Sequence, residues 1–151
     1  MKKILAGLLL LGNLVSCSLS DDPVRENNDN IHNTNILGTW KFQTEYQVSG
    51  NDLKIVINQS LPDNCKQKST YEFRNDGKYY ISDYNSIHSD CIQKETTLPY
   101  LYSPNQMKLI INNNESEVLE LTFHQLVILV PAYYDYNGDG TNDYLKTVYY
   151  K

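Results

Sequence analysis

Leu37-Gly38-Thr39-Trp40-Lys41-Phe42-Gln43-Thr44-Glu45-Tyr46-Gln47-Val48 is the stretch that decides the fold class. Trp40, Phe42, Tyr46 and Val48 fall on even positions, and Lys41, Gln43, Glu45 and Gln47 on odd ones. Successive side chains of a strand point to opposite faces, so this period of two predicts a strand with one face buried and the other wet. The same alternation recurs at Leu53, Ile55 and Ile57; at Tyr71 and Phe73; at Met107, Leu109 and Ile111; and at Leu119, Leu121 and Phe123. No segment shows a convincing helical period. Asn75-Asp76-Gly77 and Asn112-Asn113-Asn114 are hairpin signals, the first supplying the positive φ that a tight turn needs. Leu126 to Val130 is apolar throughout, as suits a strand covered on both faces, and Pro131 ends it. Tyr144 to Tyr150 supplies a last strand.

The expected architecture is all-β: roughly eight or nine short antiparallel strands, a sheet long enough to close on itself and so remove its edges. An up-and-down barrel is the first expectation and a two-sheet sandwich the second. The 151 residues leave room for one domain and one core. A net charge of -5 with no basic cluster argues against a nucleic-acid surface. Thirteen Tyr beside seven Gly and five Pro exclude collagen-like and low-complexity classes.

Ahead of the strands, Lys2 and Lys3 precede an apolar run from Ile4 to Leu11 that is too short to cross a bilayer and reads as a secretory signal peptide, residues 1–16. Leu14-Val15-Ser16-Cys17 resembles the lipobox of bacterial lipoproteins, which implies that Cys17 becomes the first mature residue and carries acyl chains into a membrane. Ser18-Leu19-Ser20-Asp21-Asp22 resembles the acidic signal that sends some lipoproteins to the outer face of the outer membrane, although the acidic run lies two residues late. Surface display is expected, with a periplasm-facing anchor as the alternative. Residues 17–35, rich in Asp, Asn and Ser, read as the lipidated Cys and a flexible acidic tether, and residues 36–151 as the folded domain.

Leu37-Gly38-Thr39-Trp40-Lys41 resembles the Gly-x-Trp opening of lipocalins, and more closely the short lipocalin-like domains of bacterial lipoproteins. In those domains a Cys, a strand ending in Phe, an Asp-Gly turn and a second Cys follow, matched here by Cys65, Phe73, Asp76-Gly77 and Cys91. The Glu120-Leu121-Thr122 strand and a Tyr-rich end complete the likeness, which spans residues 36 to 151. With Cys17 carrying lipid in a compartment that permits disulfides, Cys65 and Cys91 are expected to bridge. They lack the Cys-x-x-Cys or His spacing of a metal site.

Asp135-Tyr136-Asn137-Gly138-Asp139-Gly140-Thr141-Asn142-Asp143 reads D-x-N-x-D-G-x-x-D. Side-chain oxygens at loop positions one, three, five and nine, a backbone carbonyl at seven and Gly at six suit a hard cation. Asp135, Asn137, Asp139, Thr141 and Asp143 are thus candidate ligands of a structural Ca²⁺. Lys146 stands where an EF-hand has its closing Glu, so the loop more nearly resembles the calcium hairpins of integrin-type propellers. A plain acidic hairpin rich in Asn-Gly and Asp-Gly turns is the alternative.

The first functional expectation is a binding module for a small apolar or amphipathic ligand, lined by Trp40, Phe42, Tyr46, Tyr71, Phe73, Leu109 and Phe123. The same residues could instead fill the core. The second is an accessory protein of an envelope complex acting through exposed Tyr, with Tyr79, Tyr80, Tyr84, Tyr100, Tyr102, Tyr133, Tyr134, Tyr136, Tyr149 and Tyr150 as its surface. An enzyme is not expected. His88-Ser89-Asp90 are sequence neighbours rather than a relay, and the pairs Glu115/Glu117 and Glu72/Asp76 have no fixed separation.

Overall fold

The computed structural model describes residues 36–151. The expected signal peptide, the expected lipidation at Cys17 and the expected tether lie outside the described residues. Nine strands follow in order: β1 (Gly38–Val48), β2 (Val56–Ser60), β3 (Thr70–Phe73), β4 (Lys78–Ile87), β5 (Asp90–Ser103), β6 (Lys108–Ile111), β7 (Asn114–Leu121), β8 (Gln125–Pro131) and β9 (Tyr144–Tyr150). Single 3-10 turns occupy Lys66–Lys68 and Pro104–Gln106. Every pairing is antiparallel, β1 to β3 and then each strand to the next as far as β9. β9 returns to β1, so eight strands close a barrel, while β2 pairs with β1 as an extra strand. The barrel expectation is borne out and the sandwich is not.

Closure depends on a split along β1. Its first residues, Gly38 to Trp40, pair with β3, whereas Glu45 to Val48 pair with β2. The Lys66–Lys68 turn packs beside this split, where Lys41 Nζ donates to the Gln67 carbonyl at 3.5 Å.

A bulge in β1 alters the face that the alternation assigned. Phe42 opposes Tyr149 and Thr44 opposes Val148, leaving Gln43 as an extra residue. An extra residue reverses the faces beyond it. Trp40 and Phe42 therefore point into the barrel, but Glu45 and Gln47 point inward after them, while Thr44, Tyr46 and Val48 point outward. The contacts agree: Thr147 Oγ1 donates to Glu45 Oε2 at 3.1 Å on the inner face. On the outer face Gln59 Nε2 reaches both Thr44 Oγ1 and Tyr46 Oη.

β7 carries a second bulge between Val118 and Glu120. It buries Val118 and leaves Leu119 exposed, where simple alternation placed Leu119 in the core. Two other strands begin later than expected. Leu53 and Ile55 are exposed in the connection before β2, and Met107 precedes β6 in a left-handed conformation at φ 49°. The turns behave as their sequences predict, with Gly77 at φ 73° and Asn112 and Asn113 at 48° and 66°. Leu126 to Leu129 are all buried, as expected of a strand covered on both faces.

Ile36, Trp40, Tyr71, Phe73, Tyr79, Tyr102, Leu109, Val118, Leu126 and Ile128 form the core. Burial of this apolar surface supplies the main driving force for folding, at roughly 25 cal/mol per Å² removed from water.

Candidate ligand site in the barrel interior

One end of the barrel is closed by Trp40, which is fully buried. Its Nε1 donates to the Ile36 carbonyl at 2.8 Å. The Lys151 ammonium lies 4.1 Å from the Trp40 ring centre and donates to the Leu37 carbonyl at 2.6 Å, so a cation covers the indole face from outside. Above the indole, aromatic rings touch in file across the interior: Tyr100 to Phe73 at 4.9 Å, Phe73 to Tyr79 at 4.4 Å, Tyr79 to Tyr71 at 6.4 Å, Tyr71 to Tyr149 at 5.3 Å and Tyr149 to Phe42 at 6.3 Å. Edge-to-face and offset contacts of this kind add to area burial.

Toward the other end the wall becomes two-sided. Leu98, Ile111, Ile128 and Val130, with Ser116, line a mainly apolar recess of ≈ 210 Å³ whose rim carries Asn112, Asn114 and Glu115, the last paired with Lys108. Across it in register, the inward rows run Leu126–Tyr149–Phe42, then Ile128–Thr147–Glu45, then Val130–Leu145–Gln47 over β8, β9 and β1. Glu45 thus shares a row with Ile128 of the recess, two strands away. Burial pushes the Tyr149 hydroxyl far above its ordinary pKa, and the neighbouring Tyr71 and the Glu45 carboxylate push it further.

A polar cluster crosses the split wall. Asp83, on the inner face of β4 with Tyr79 and Ile81, receives hydrogen bonds at Oδ1 from Lys66 Nζ at 2.5 Å, Ser69 Oγ at 3.1 Å and Tyr71 Oη at 3.1 Å, and at Oδ2 from Asn85 Nδ2 at 3.0 Å. Burial works against the Asp83 charge, but Lys66, Asn85 and Ser69 outweigh it and hold the carboxyl below its ordinary pKa. Burial likewise opposes the Lys66 charge, and the hydrogen bond with Asp83 reverses the balance and raises it. Lys66 follows Cys65, and the Cys65–Cys91 disulfide ties this turn to the start of β5 with Cα atoms 5.2 Å apart.

Of the expected lining residues, Trp40, Tyr71, Phe73 and Leu109 are buried and Phe42 packs edge-on against Tyr149. Two are corrected. Tyr46 faces outward beneath the Lys146 ammonium because of the bulge, and Phe123 is 73% exposed in the turn between β7 and β8. The expected Tyr surface also shrinks. Tyr79 and Tyr102 are buried in the core and Tyr149 packs against it, while Tyr133, Tyr134, Tyr136 and Tyr150 are exposed. Alternation missed Glu45 and Thr147, because no residue type in β1 announces its bulge. Asp83 was readable, since it keeps the parity of Tyr79 and Ile81.

The acidic loop folds against the connection after β1. Asp143, 1% exposed, accepts from the Gly50 amide at Oδ1 (2.9 Å) and the Tyr136 amide at Oδ2 (2.6 Å). Asp135 accepts from the amides of Gly138, Asp139 and Gly140. Asp139 accepts from Ser49 Oγ, Asn137 Nδ2 and the Thr141 amide, and Thr141 Oγ1 donates to Asn51. Among the described residues no group of three or more carboxylate, His or Cys side chains is gathered to hold a metal ion as it stands. The candidate acid pairs are engaged elsewhere: Glu72 with Arg74 at 2.6 Å and Glu115 with Lys108 at 2.8 Å. His88 and Ser89 form the turn between β4 and β5.

The lipocalin-like domain family profile matches residues 36–128. No curated protein matches the chain. Similar solved structures include the bovine lipocalin allergen Bos d 2, at 16% identity and a TM-score of 0.42, covering 78% of this chain and 73% of that one. A bovine odorant binding protein deswapped triple mutant stands at 12% and 0.41, covering 78% and 74%. Aphrodisin, a sex pheromone from female hamster, stands at 14% and 0.40, covering 77% and 74%.

Proposed function

Since the chain belongs to the lipocalin-like domain family, we propose that it is a lipid-anchored binding module of the cell envelope that takes a small apolar or amphipathic ligand into the open half of its barrel. The observation that carries this reading is the division of the interior. Aromatic rings pack one half, whereas Leu98, Ile111, Ile128 and Val130 leave an apolar recess in the other. Anchoring rests on the Leu14-Val15-Ser16-Cys17 sequence, with acyl chains on Cys17, and the Ser18-Leu19-Ser20-Asp21-Asp22 run supports the outer membrane and its outer face as the address. No catalytic step is proposed.

A native mass spectrum of the purified protein tests the binding reading. An added organic mass that leaves on denaturation is expected; a bare polypeptide that also fails to take up an apolar fluorophore overturns it. Action on an envelope partner through the outer surface is the alternative, favoured by the exposed Tyr134 and Tyr136, whose rings meet at 4.9 Å beside the exposed Tyr133. For the Asp135–Asp143 loop we propose a structural Ca²⁺, supported by the spacing of its oxygen-bearing residues. Binding would exchange some carboxylate–amide contacts for metal contacts. A melting temperature raised by Ca²⁺ and restored by chelator is expected, and one indifferent to both overturns it.

A further inference from the structure

Lipocalin-like folding leaves open which chemistry the interior prefers, and the β1 bulge supplies an answer. Glu45 faces inward in the same row as Thr147 and Ile128, and Ile128 lines the apolar recess. Two strand spacings separate Glu45 from Ile128, roughly 9 to 10 Å, within reach of the head of an amphiphile whose tail lies in the recess. The side-chain partner of the carboxylate is the Thr147 hydroxyl. Glu45 takes part in none of the ion pairs among the described residues.

The nearby cations are committed or turned away. Lys66 is held by Asp83, and Lys146 lies over the outward ring of Tyr46. Lys41 reaches toward Gln67, and Lys94, the cross-strand partner of Asp83, is exposed. The inner wall beside the recess therefore presents an acceptor-only carboxylate without a balancing charge. A ligand carboxylate placed there would meet like charge, whereas an ammonium would gain a charge-assisted hydrogen bond.

We propose that the ligand is an amphiphile with a hydrogen-bond-donating, cationic head, an amine, bound by Glu45, and an apolar tail in the recess of Leu98, Ile111, Ile128 and Val130. This rests on the binding reading above and gives it a substrate class. Glu45 acts as the specificity residue and the recess as the source of apolar affinity.

Competition against the neutral fluorophore N-phenylnaphthylamine tests it, with octylammonium, octanol and octanoate as competitors of equal tail length. Octylammonium is expected to displace the fluorophore at a concentration about tenfold below that of octanoate, with octanol between them. Glu45→Gln keeps an acceptor for Thr147 and the shape of the side chain. It is expected to bring octylammonium and octanoate within about twofold of each other with the melting temperature unchanged. Octanoate competing as well as octylammonium, or a preference that survives Glu45→Gln, overturns the proposal and leaves the binding reading intact. Failure of the fluorophore to bind at all overturns both.

Discussion

Thr147 on β9 donates to Glu45 on β1 from the face of β9 that also carries Tyr149, so a carboxylate is held inside the barrel one row above an edge-to-face aromatic pair. Thr147→Val keeps the β-branched shape and removes the donor. The carboxylate then loses its side-chain hydrogen bond in a half-buried position, at an expected cost of about 1 to 2 kcal/mol in urea unfolding. The double variant with Glu45→Gln should recover part of that loss, as a double-mutant cycle measures.

Trp40 closes the barrel through burial, a hydrogen bond to Ile36 and the covering Lys151 ammonium. Trp40→Phe removes the donor and part of the ring, with an expected loss of about 2 to 3 kcal/mol. Lys151→Met removes the cation together with its hydrogen bond to the Leu37 carbonyl and should lose about 1 to 2 kcal/mol. Urea unfolding followed by far-ultraviolet circular dichroism reads both, since Trp40 is the sole Trp for fluorescence.

The Cys65–Cys91 bridge spans 26 residues of sequence that include β3 and β4. Chain entropy puts its contribution at about 3 kcal/mol. Replacing both Cys by Ser, or unfolding in reductant, should lower the melting temperature by an amount consistent with that figure. The β4–β5 tip should gain hydrogen exchange ahead of the β8–β9 pair.

Tyr79 and Tyr149 hold their protons well above the ordinary tyrosine range, chiefly through burial. A folded-state pKa raised above the unfolded value gives stability that is fully present below about pH 10 and lost as pH rises toward the folded value. Asp83 runs the opposite way: held low in the fold, it contributes above its unfolded value near pH 4 and loses that contribution on acidification. Stability should therefore fall at both extremes. Ultraviolet titration should show a class of Tyr that ionises only together with the loss of circular dichroism.

The strand count, the closed barrel, the Asp76-Gly77 and Asn112-Asn113 turns and the Cys65–Cys91 bridge were legible because each rests on a signal in the residues themselves: alternation, positive φ, or two Cys without the spacing of a metal site. The inner face of the site was not. Its charge comes from a single extra residue at Gln43, and a bulge reverses faces without changing composition. The same physics misplaced Leu119, whose β7 bulge put Val118 in its stead. Phe123 was misread for a different reason. Its parity continues the β7 pattern, but the strand ends at Leu121 and the turn carries the ring into solvent.

The seam between β1 and β9 also sets a schedule. Glu45 and Thr147 are 102 residues apart in sequence, and the wall has an open edge along β1 until β9 arrives. The seam cannot form until β9 has been synthesised and reaches β1, so ring closure comes after every other strand of the barrel exists. Such long-range pairing makes folding slow and leaves β1 adhesive in the interim. A chaperone that shields that edge would set the yield of folded protein.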